Sequence, residues 1–355
     1  GQAIWTVDRK QLNCLLMDAA PDTVAYHHEH ELRDLEPDTP AVTVENRVDG
    51  SRRREVYDHV IGTDGLFSTM RELMTARGLV REEFHTLDYG YRELTIPADP
   101  HGRWVLPERS VHIWPADDAL FIALPSHAGT FTCSLFYHKR GGHPLAAVGG
   151  GPGVVAALRE RFAGAAALIP DLPENLAAGK PSDICAVKCD VWNHRDRVLL
   201  LGDAAHAIVP FFAMGMNVGF EDCSWFVRRL DENGGDLGEV IRSYGAWRKP
   251  HTDAIFDLSL RNFQSIGHSD RDGYHARWLL ERRLWSRYPT RWRPLYAMIA
   301  FSRLPLAEVQ ARAAVQTDLL DTLLAAFGPD AASDHPAVER WLAPRLAERL
   351  PDLPA

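Results

Sequence analysis

The stretch that decides the fold runs Leu199-Leu200-Leu201-Gly202-Asp203-Ala204-Ala205-His206 and continues, after three residues, as Pro210-Phe211-Phe212-Ala213-Met214-Gly215-Met216-Asn217. An apolar run that stops at Gly202-Asp203 predicts a buried strand that delivers a carboxylate at its C-terminal end. Ligands of open α/β sheets bind at that edge. A loop follows, in which Gly215 lets the backbone come close to a flat ligand, and a helix begins near Asn217. The unpaired N–H groups and partial positive charge of a helix start suit a polyhydroxylated ligand with delocalised negative charge.

A flavin has these properties. Asp203 would accept a hydrogen bond from a ribityl hydroxyl, and the helix start would face the N1–C2=O edge of the reduced ring. The alternative is a buried strand, a loop and a capped helix with no ligand. A strand that ends in Asp before a glycine-containing loop suits a binding site better than a core.

The segment 202–222 resembles the flavin-contacting segment of the kynurenine 3-monooxygenases through its Gly-Asp-Ala-Ala-His, Pro-Phe-Phe, Gly-Met-Asn and Gly-Phe-Glu-Asp motifs. That family belongs to the FAD-dependent aromatic hydroxylases, the p-hydroxybenzoate hydroxylase-like group. A second segment, 62–71, resembles their Asp-Gly-x-x-Ser-x-x-Arg fingerprint, which lies beside the cofactor's pyrophosphate and the path of the nicotinamide nucleotide. His-Ile-Trp-Pro at 112–115 and Phe-Thr-Cys-x-Leu-Phe at 131–136 resemble the same family.

Length and composition bound the class of protein. At 355 residues the chain exceeds the usual limit of about 250–300 for one hydrophobic core, so two or three domains are expected. A net charge of -9 argues against nucleic acid or an anionic membrane as the main partner. No apolar run is long enough to span a bilayer, no signal peptide opens the chain, and the C-terminal residues 348–355 do not suit a membrane anchor. Five cysteines without a pairing pattern indicate a reducing compartment, so we expect a soluble, cytoplasmic protein.

Residue periodicity predicts two kinds of sheet followed by helices. A helix capped by Asp8 is expected after the first strand, and short strands with turns between them over 88–137 predict an antiparallel sheet. Strands of the first sheet are expected at 3–7, 23–32, 41–48, 55–61, 187–191 and 197–201. An apolar stripe of Trp225, Phe226 and Leu230 predicts a helix that ends at 233–235. Further helices are expected at 240–266, 277–287, 295–301 and 307–327.

These patterns and the resemblance together predict an α/β protein with an FAD/NAD(P)-binding, aromatic hydroxylase-like fold. The FAD-binding domain is expected in two parts, 1–80 and 187–235, with an antiparallel-sheet substrate domain at 81–186 and a helical C-terminal region at 236–355. The family opens with a βαβ unit whose Gly-x-Gly-x-x-Gly loop holds the ADP diphosphate. No such unit precedes Gly1, so we expect the chain as given to lack its first βαβ unit and to bind FAD weakly or not at all.

The resemblance also assigns binding roles to individual residues. It implies cofactor contacts for Arg9, Leu32, Asp203, Gly215, Met216 and Asn217. It implies substrate contacts for Asn262 and Tyr296, which match the family's carboxylate-contacting Asn and Tyr, and for Pro210 and Phe212, which would line the aromatic slot. Taken alone, Arg9 fits a solvated arginine at a helix start equally well. No residue is assigned to acid–base catalysis, because the cofactor carries the chemistry in this family, and no metal site is expected.

The function that the resemblance implies is hydroxylation of L-kynurenine to 3-hydroxykynurenine with FAD, NADPH and O₂, in tryptophan degradation by the kynurenine pathway. The partner is then a small aromatic amino acid, without nucleic acid or membrane, and a homodimer is compatible with this function. The family usually reads Phe-Phe-Gly-Gln-Gly-Met-Asn where this chain has Ala213-Met214, which removes an amide donor beside the substrate ketone. A hydroxylase of another aryl amine in a secondary pathway therefore stays open, as does a truncated, non-enzymatic remnant that does not bind FAD.

Overall fold

The computed structural model describes residues 4, 6–116, 118–139, 143–147, 151–266, 271–328, 331 and 336–353. The chain divides into two compact units. The first unit comprises Gly1–His28 and His85–Cys185, and the second comprises Glu29–Phe84 and Ala186–Ala355. Among the described residues, none of the helices is both long and apolar enough to span a lipid bilayer.

The secondary structure follows the chain in mixed order. The strands are β1 (His30–Glu36), β2 (Ala41–Asn46), β3 (Arg52–Val56), β4 (Val60–Gly62), β5 (Glu82–Ile96), β6 (His112–Ala116), β7 (Ala119–Pro125), β8 (Phe131–His138), β9 (Ser182–Cys189), β10 (Asn193–His194) and β11 (Val198–Leu200). The helices are α1 (Arg9–Asp18), α2 (Thr69–Ala76), α3 (Pro152–Arg161), α4 (Ala163–Ala166), α5 (Leu172–Ala178), α6 (Asp203–His206), α7 (Gly215–Glu232), α8 (Leu237–Ile266), α9 (Arg271–Arg287), α10 (Leu295–Phe301), α11 (Leu306–Phe327) and α12 (Pro336–Arg349). A short 3-10 turn covers Pro210–Phe212.

The first unit is built on the predicted antiparallel sheet, with strands in the order β6-β7-β8-β5-β9. β7 pairs antiparallel with both β6 and β8, and β5 pairs antiparallel with β8. Side chains alternate across the sheet as expected for a half-buried strand, so that Ala119, Phe121 and Ala123 of β7 are buried. Apolar side chains of α3 and α5 cover that face, among them Leu158 and Leu172.

The second unit contains two small sheets and most of the helices. β1, β2 and β3 form an antiparallel sheet, and β11 pairs parallel with β4 in a sheet ordered β10-β11-β4. One core joins Met70 and Met74 of α2 to the β11 residues 198–200. β4 lies close to α2 where it ends in glycine: a Cβ on Gly62 would collide with the Met70 side chain, which would have to shift.

The C-terminal part of the second unit is helical, as predicted. Phe212, Ile255 and Met298 belong to one apolar cluster that involves α8, α10 and α11. A further cluster packs α9, α11 and α12 together around the fully buried Trp292. Because these helices carry their apolar residues at helical spacing, their positions were readable from the sequence.

Three strand predictions were wrong in detail. The described residues of 3–7 and residues 24–27 form no strand, and β1 begins only at His30, because Glu29 adopts a left-handed conformation (φ 57) that interrupts extended backbone. The single strand predicted at 55–61 is two strands, since β3 pairs with β2 whereas β4 pairs with β11. The strand predicted at 187–191 is instead β9, an edge strand of the five-stranded sheet.

All five cysteines are free, and their burial predicts which of them react. Burial raises the pKa of both the Cys133 and Cys189 thiols to about 12. At pH 8 about one in ten thousand of these groups is then a thiolate, so we expect them to react with an aromatic disulfide reagent at least about 100-fold more slowly than the exposed Cys14. Release of the chromophore, with labelled peptides identified by mass spectrometry, measures this, and Cys14→Ser should remove the fast phase. Rapid labelling of Cys133 or Cys189 in folded protein would contradict it.

Candidate functional site

Two Gly-Asp motifs leave the parallel strands at the same edge. Ile61 of β4 is in register with Leu199 of β11, and the Leu201 N–H donates to the carbonyl of Gly62 at 2.9 Å. Because the strands are parallel, their C-terminal ends coincide, and the chain continues from them to Asp64 and Asp203. This is the sheet edge at which α/β proteins bind ligands.

Asp203 is the first residue of α6, and its side chain is exposed. The turn before it needs glycine, since Gly202 has φ 62 and ψ −143, a conformation that side chains rarely allow. The predicted carboxylate is therefore delivered to the surface at the end of β11, where a hydroxylated ligand can reach it.

Asp64 has a different role. Its carboxylate accepts hydrogen bonds from the Ser68 hydroxyl at 2.5 Å and from the Met70 N–H at 3.0 Å, and the Ser68 oxygen in turn accepts from the Arg71 N–H at 2.9 Å. These bonds cap the start of α2. The acidic residue of the second motif therefore has a structural role at the start of α2.

Arg71 connects the two motifs. It is buried, its Nε donates to Glu82 at 2.6 Å, and its terminal nitrogens donate to the carbonyls of Leu66 at 2.6 Å and Ala204 at 3.0 Å. Ala204 directly follows Asp203, so this guanidinium holds the helix that carries the predicted ribityl contact. The arginine of the second motif therefore binds backbone carbonyls of the protein itself.

The start of α7 lies two residues earlier than predicted. The helix begins at Gly215, so Gly215, Met216 and Asn217 form its first turn, and their N–H groups precede the first possible acceptor within the helix. No side chain in the described part of the chain caps this turn. A Cβ built on Gly215 would meet none of the described atoms within 4 Å, which leaves the backbone open to a flat ligand.

The residues that depart from the family pattern lie just before this helix. Ala213 is left-handed (φ 54, ψ 34) and ends the 3-10 turn, while Met214 is the N-cap of α7. The Asn217 side-chain amide donates to the Met214 sulfur at 3.5 Å. Met214 therefore contributes to the first turn of α7 from the position where the family has a glutamine.

Ala213→Gly is expected to stabilise the fold. A left-handed conformation costs a non-glycine residue about 1–2 kcal/mol, and the extra unfolded-state freedom of glycine offsets about 0.5–1 kcal/mol of the gain. We therefore expect a net increase of about 0.5–1 kcal/mol in the free energy of unfolding, measured by thermal and chemical denaturation. Ala128→Gly, at the matching conformation (φ 60, ψ 30) in the first unit, is the control and should gain a similar amount. A loss of stability in Ala213→Gly alone would show that the side chain is held by favourable contacts.

The predicted substrate residues gather around one apolar cluster. Phe212 is buried within it, and its ring centroid lies 6.4 Å from that of the partly exposed Tyr296. Burial raises the pKa of the Tyr296 phenol, so the hydroxyl stays protonated and can donate a hydrogen bond. Asn262 follows Leu258 of the same cluster by one helical turn of α8, which directs both to one face. Pro210 is exposed at the start of the 3-10 turn.

The two remaining predicted cofactor residues lie in different units. Leu32 is in β1, paired with Val44, and its side chain packs against the core that contains β11. Arg9 is the exposed first residue of α1 in the first unit, with Asp8 capping the helix through the Gln11 N–H at 2.8 Å. All the other predicted site residues belong to the second unit.

The prediction missed a buried charged network behind the site. His206 Nε2 donates to Asp222 at 2.7 Å, and Arg248 Nε donates to the other oxygen of the same carboxylate at 2.7 Å. Burial alone would raise the pKa of Asp222, but the hydrogen bonds and charges of His206 and Arg248 outweigh it and hold the pKa below its ordinary value. The signal was present in the sequence, because Asp222 follows Val218 by one turn and so falls on the apolar stripe of α7. A carboxylate at such a position requires buried partners.

Comparison with known proteins finds a match to an FAD-binding family and relatives named kynurenine 3-monooxygenase. A family model described as FAD binding domain matches residues 2–259. The kynurenine 3-monooxygenase of Flavobacterium psychrophilum is 34% identical over 326 residues, which cover 91% of this chain and 73% of the relative. The kynurenine 3-monooxygenase of Salinispora tropica is 36% identical over 324 residues, which cover 90% of this chain and 71% of the relative.

Solved structures share the fold at lower identity. Tetracycline destructase Tet(51) has a TM-score of 0.56 at 19% identity, covering 83% of this chain and 76% of that chain. Klebsiella pneumoniae HpxO, in complex with FAD and uric acid, has a TM-score of 0.57 at 22% identity, covering 77% of this chain and 66% of that chain. Together with the family match, these likenesses confirm the predicted fold class, an aromatic hydroxylase-like FAD-binding fold with an antiparallel sheet and a helical C-terminal region.

Proposed function

This chain belongs to the kynurenine 3-monooxygenase family of FAD-dependent aromatic monooxygenases, and from that membership we propose that it hydroxylates L-kynurenine to 3-hydroxykynurenine with NADPH and O₂. The observation that carries the proposal is the 34–36% identity with two kynurenine 3-monooxygenases over about nine-tenths of this chain. Five free thiols suit a reducing compartment, so we place the reaction in the cytoplasm.

The second unit offers groups that fit FAD. Asp203 is positioned to accept a hydrogen bond from a ribityl hydroxyl, and the amides of Gly215, Met216 and Asn217 can donate to the pyrimidine edge of the ring. The positive end of α7 would favour negative charge on a ring bound beside it. We assign further FAD contacts to Leu32 and Arg9. Bound FAD supplies the redox chemistry, taking electrons from NADPH and activating O₂.

The substrate residues supply recognition. Phe212 and Tyr296 present aromatic faces to the substrate ring, and Pro210 extends the wall at the start of the 3-10 turn. We assign the substrate carboxylate to the Tyr296 hydroxyl and the Asn262 amide, both of which can donate hydrogen bonds at neutral pH. An apolar wall also excludes water from the reacting centre, which protects the activated oxygen from loss.

Reconstitution with FAD tests this function. The purified full chain is incubated with FAD, freed of excess cofactor and assayed for bound flavin by absorbance. NADPH oxidation is then followed with and without L-kynurenine, and the product is identified by chromatography and mass spectrometry. We expect L-kynurenine to stimulate NADPH oxidation with formation of 3-hydroxykynurenine. Bound flavin without that product would reject the substrate, and a protein that takes up no flavin would reject the proposed function in favour of the remnant that does not bind FAD.

Asp203→Ala is expected to weaken FAD binding. A hydrogen bond to a charged group contributes about 1.5–3 kcal/mol, so the dissociation constant of FAD should rise by about 10- to 100-fold. Titration by flavin fluorescence measures it. Asp231→Ala, which removes an exposed carboxylate from the other end of α7, is the control and should bind FAD as the unaltered protein does. Equal affinity in both variants would remove Asp203 from the cofactor site.

A second candidate function rests on Met214. Its thioether approaches Asn217 in place of the family's glutamine amide, which favours a substrate that lacks a ketone at that point. The same assay with other aryl amines, such as anthranilate, separates the two candidates. A Met214→Gln variant that gains activity on L-kynurenine and loses it on the other amine would identify Met214 as the residue that selects the substrate.

A further inference from the structure

Three ionisable side chains meet in the interior of the second unit. His206, Asp222 and Arg248 are each 1–2% exposed, and they come from the end of α6, the middle of α7 and the middle of α8. Both oxygens of the Asp222 carboxylate are engaged, one by His206 and one by Arg248, at 2.7 Å each. One carboxylate therefore ties three helices together.

Arg248 holds α7 at further points. Its terminal nitrogen donates to Glu221 at 2.8 Å and to the carbonyl of Val218 at 3.3 Å, while the Tyr244 hydroxyl, one turn earlier on α8, donates to the carbonyl of Asp222 at 2.9 Å. Val218 directly follows the first turn of α7. These contacts fix the axial position and the rotation of α7, because they bind both its backbone carbonyls and its side chains.

A buried ionic network is costly unless every member is satisfied, and packed apolar residues of similar volume often give equal or greater stability. A role that apolar packing does not serve accounts for such a network in the interior. Hydrogen bonds to a shared carboxylate define direction and distance, whereas apolar contacts allow sliding. The network is thus suited to hold parts of the fold in one relative position.

The parts that it holds are the two ends of the FAD site proposed above. His206 lies three residues after Asp203 on the same short helix, and Asp222 lies seven residues, about two turns, after Gly215 on α7. We propose that His206, Asp222 and Arg248 are positioning residues that set the distance between Asp203 and the first-turn amides of α7. This role in cofactor binding rests on the proposed function, while the mechanical link between α6 and α7 is a property of the chain alone.

The hydrogen bonding of His206 indicates which substitutions test this role best. Its Nδ1 has no hydrogen-bond partner among the described residues, and its ring lies against Trp192 with centroids 4.8 Å apart. Nε2 therefore carries the proton that is directed at Asp222. In His206→Gln the side-chain amide can replace that N–H, whereas in His206→Leu nothing replaces it.

Hydrogen–deuterium exchange of the flavin-free protein tests the mechanical link. The peptide covering residues 214–224 should exchange about tenfold faster in His206→Leu than in the unaltered chain, and within about twofold of it in His206→Gln. Arg248→Lys keeps the charge but cannot reach Asp222, Glu221 and Val218 together, so it should also accelerate exchange there. It serves as the second variant if His206→Leu does not fold.

Leu342→Ala is the control for general destabilisation. Leu342 is buried in the cluster of α9, α11 and α12, whose described members include no residue of α6 or α7. This variant should lower the melting temperature without changing exchange in residues 214–224. If Leu342→Ala accelerates exchange there as much as His206→Leu, the network has no special role and the proposal is overturned.

FAD titration of the same variants tests the consequence. We expect the dissociation constant of FAD to rise about tenfold in His206→Leu. In His206→Gln and in Leu342→Ala it should equal that of the unaltered chain. Faster exchange with unchanged FAD affinity would overturn the positioning role and leave a purely structural network. If the unaltered chain takes up no FAD, the proposed function fails, and the exchange data alone then decide whether the network links α6 to α7.

Discussion

Asp222→Asn is expected to lower the free energy of unfolding by about 3–5 kcal/mol, a large part of the stability of a typical domain. The substitution keeps the shape of the side chain but removes the charge that Arg248 and His206 share. Arg248 is then a buried cation whose one remaining carboxylate partner, among the residues that the structure describes, is the exposed Glu221. Chemical denaturation monitored by tryptophan fluorescence measures the loss.

The control for this prediction lies on the same helix. Glu232 forms a surface ion pair with Arg229 at 2.9 Å, and exposed pairs of this kind contribute about 0–1 kcal/mol. Glu232→Gln should therefore be close to neutral. Comparable losses in Glu232→Gln and Asp222→Asn would show that burial of the pair does not decide its energy.

The same carboxylate predicts a dependence on pH. The pKa of Asp222 in the folded protein lies below its ordinary value of about 3.9, so the ionised group stabilises the fold above that pH. This stabilisation is lost as the pH falls through the folded-state pKa. Unaltered protein should lose stability below about pH 4, and Asp222→Asn should lose less over the same interval. A parallel decline in both proteins would exclude Asp222 as the cause.

Arg71→Met is expected to lower the free energy of unfolding by about 3 kcal/mol. The guanidinium makes three hydrogen bonds, to Glu82 and to the carbonyls of Leu66 and Ala204, and methionine replaces none of them. Because Ala204 adjoins Asp203, FAD affinity should fall with stability. Chemical denaturation and flavin titration measure the two effects, and Arg71→Lys should recover only part of each, since one ammonium group cannot satisfy three divergent acceptors.

Arg77→Met provides the matched comparison. Arg77 ends the same helix and pairs with Asp34 at 2.6 Å, but both side chains are partly exposed. Its replacement should cost at most about 1 kcal/mol and leave FAD binding unchanged. If Arg71→Met is no more harmful than Arg77→Met, the link between the two Gly-Asp motifs carries little energy.

Local signals in the sequence predicted much of the secondary structure. Asp8 caps α1 as expected, the antiparallel strands of the first unit appear where residues alternate, and α7 carries the apolar stripe of Trp225, Phe226 and Leu230. Each of these features depends on residues within a few positions of one another. Strand partners do not, which explains why the strand predicted at 187–191 was assigned to the wrong sheet.

For the site, the sequence alone determined the kind of edge that this protein presents: an apolar strand ending in Gly202-Asp203, a loop, and a helix that begins near Asn217. Those residues are close together in the chain, so their spacing predicts their geometry. Only the tertiary structure decided what holds that edge in place. Arg71 reaches Ala204 across 133 positions and Arg248 reaches Asp222 across 26, and neither pairing leaves a periodic trace in the sequence. Burial also decides the strength of those contacts, because a charge removed from water is costly unless the tertiary structure supplies a hydrogen-bonded partner.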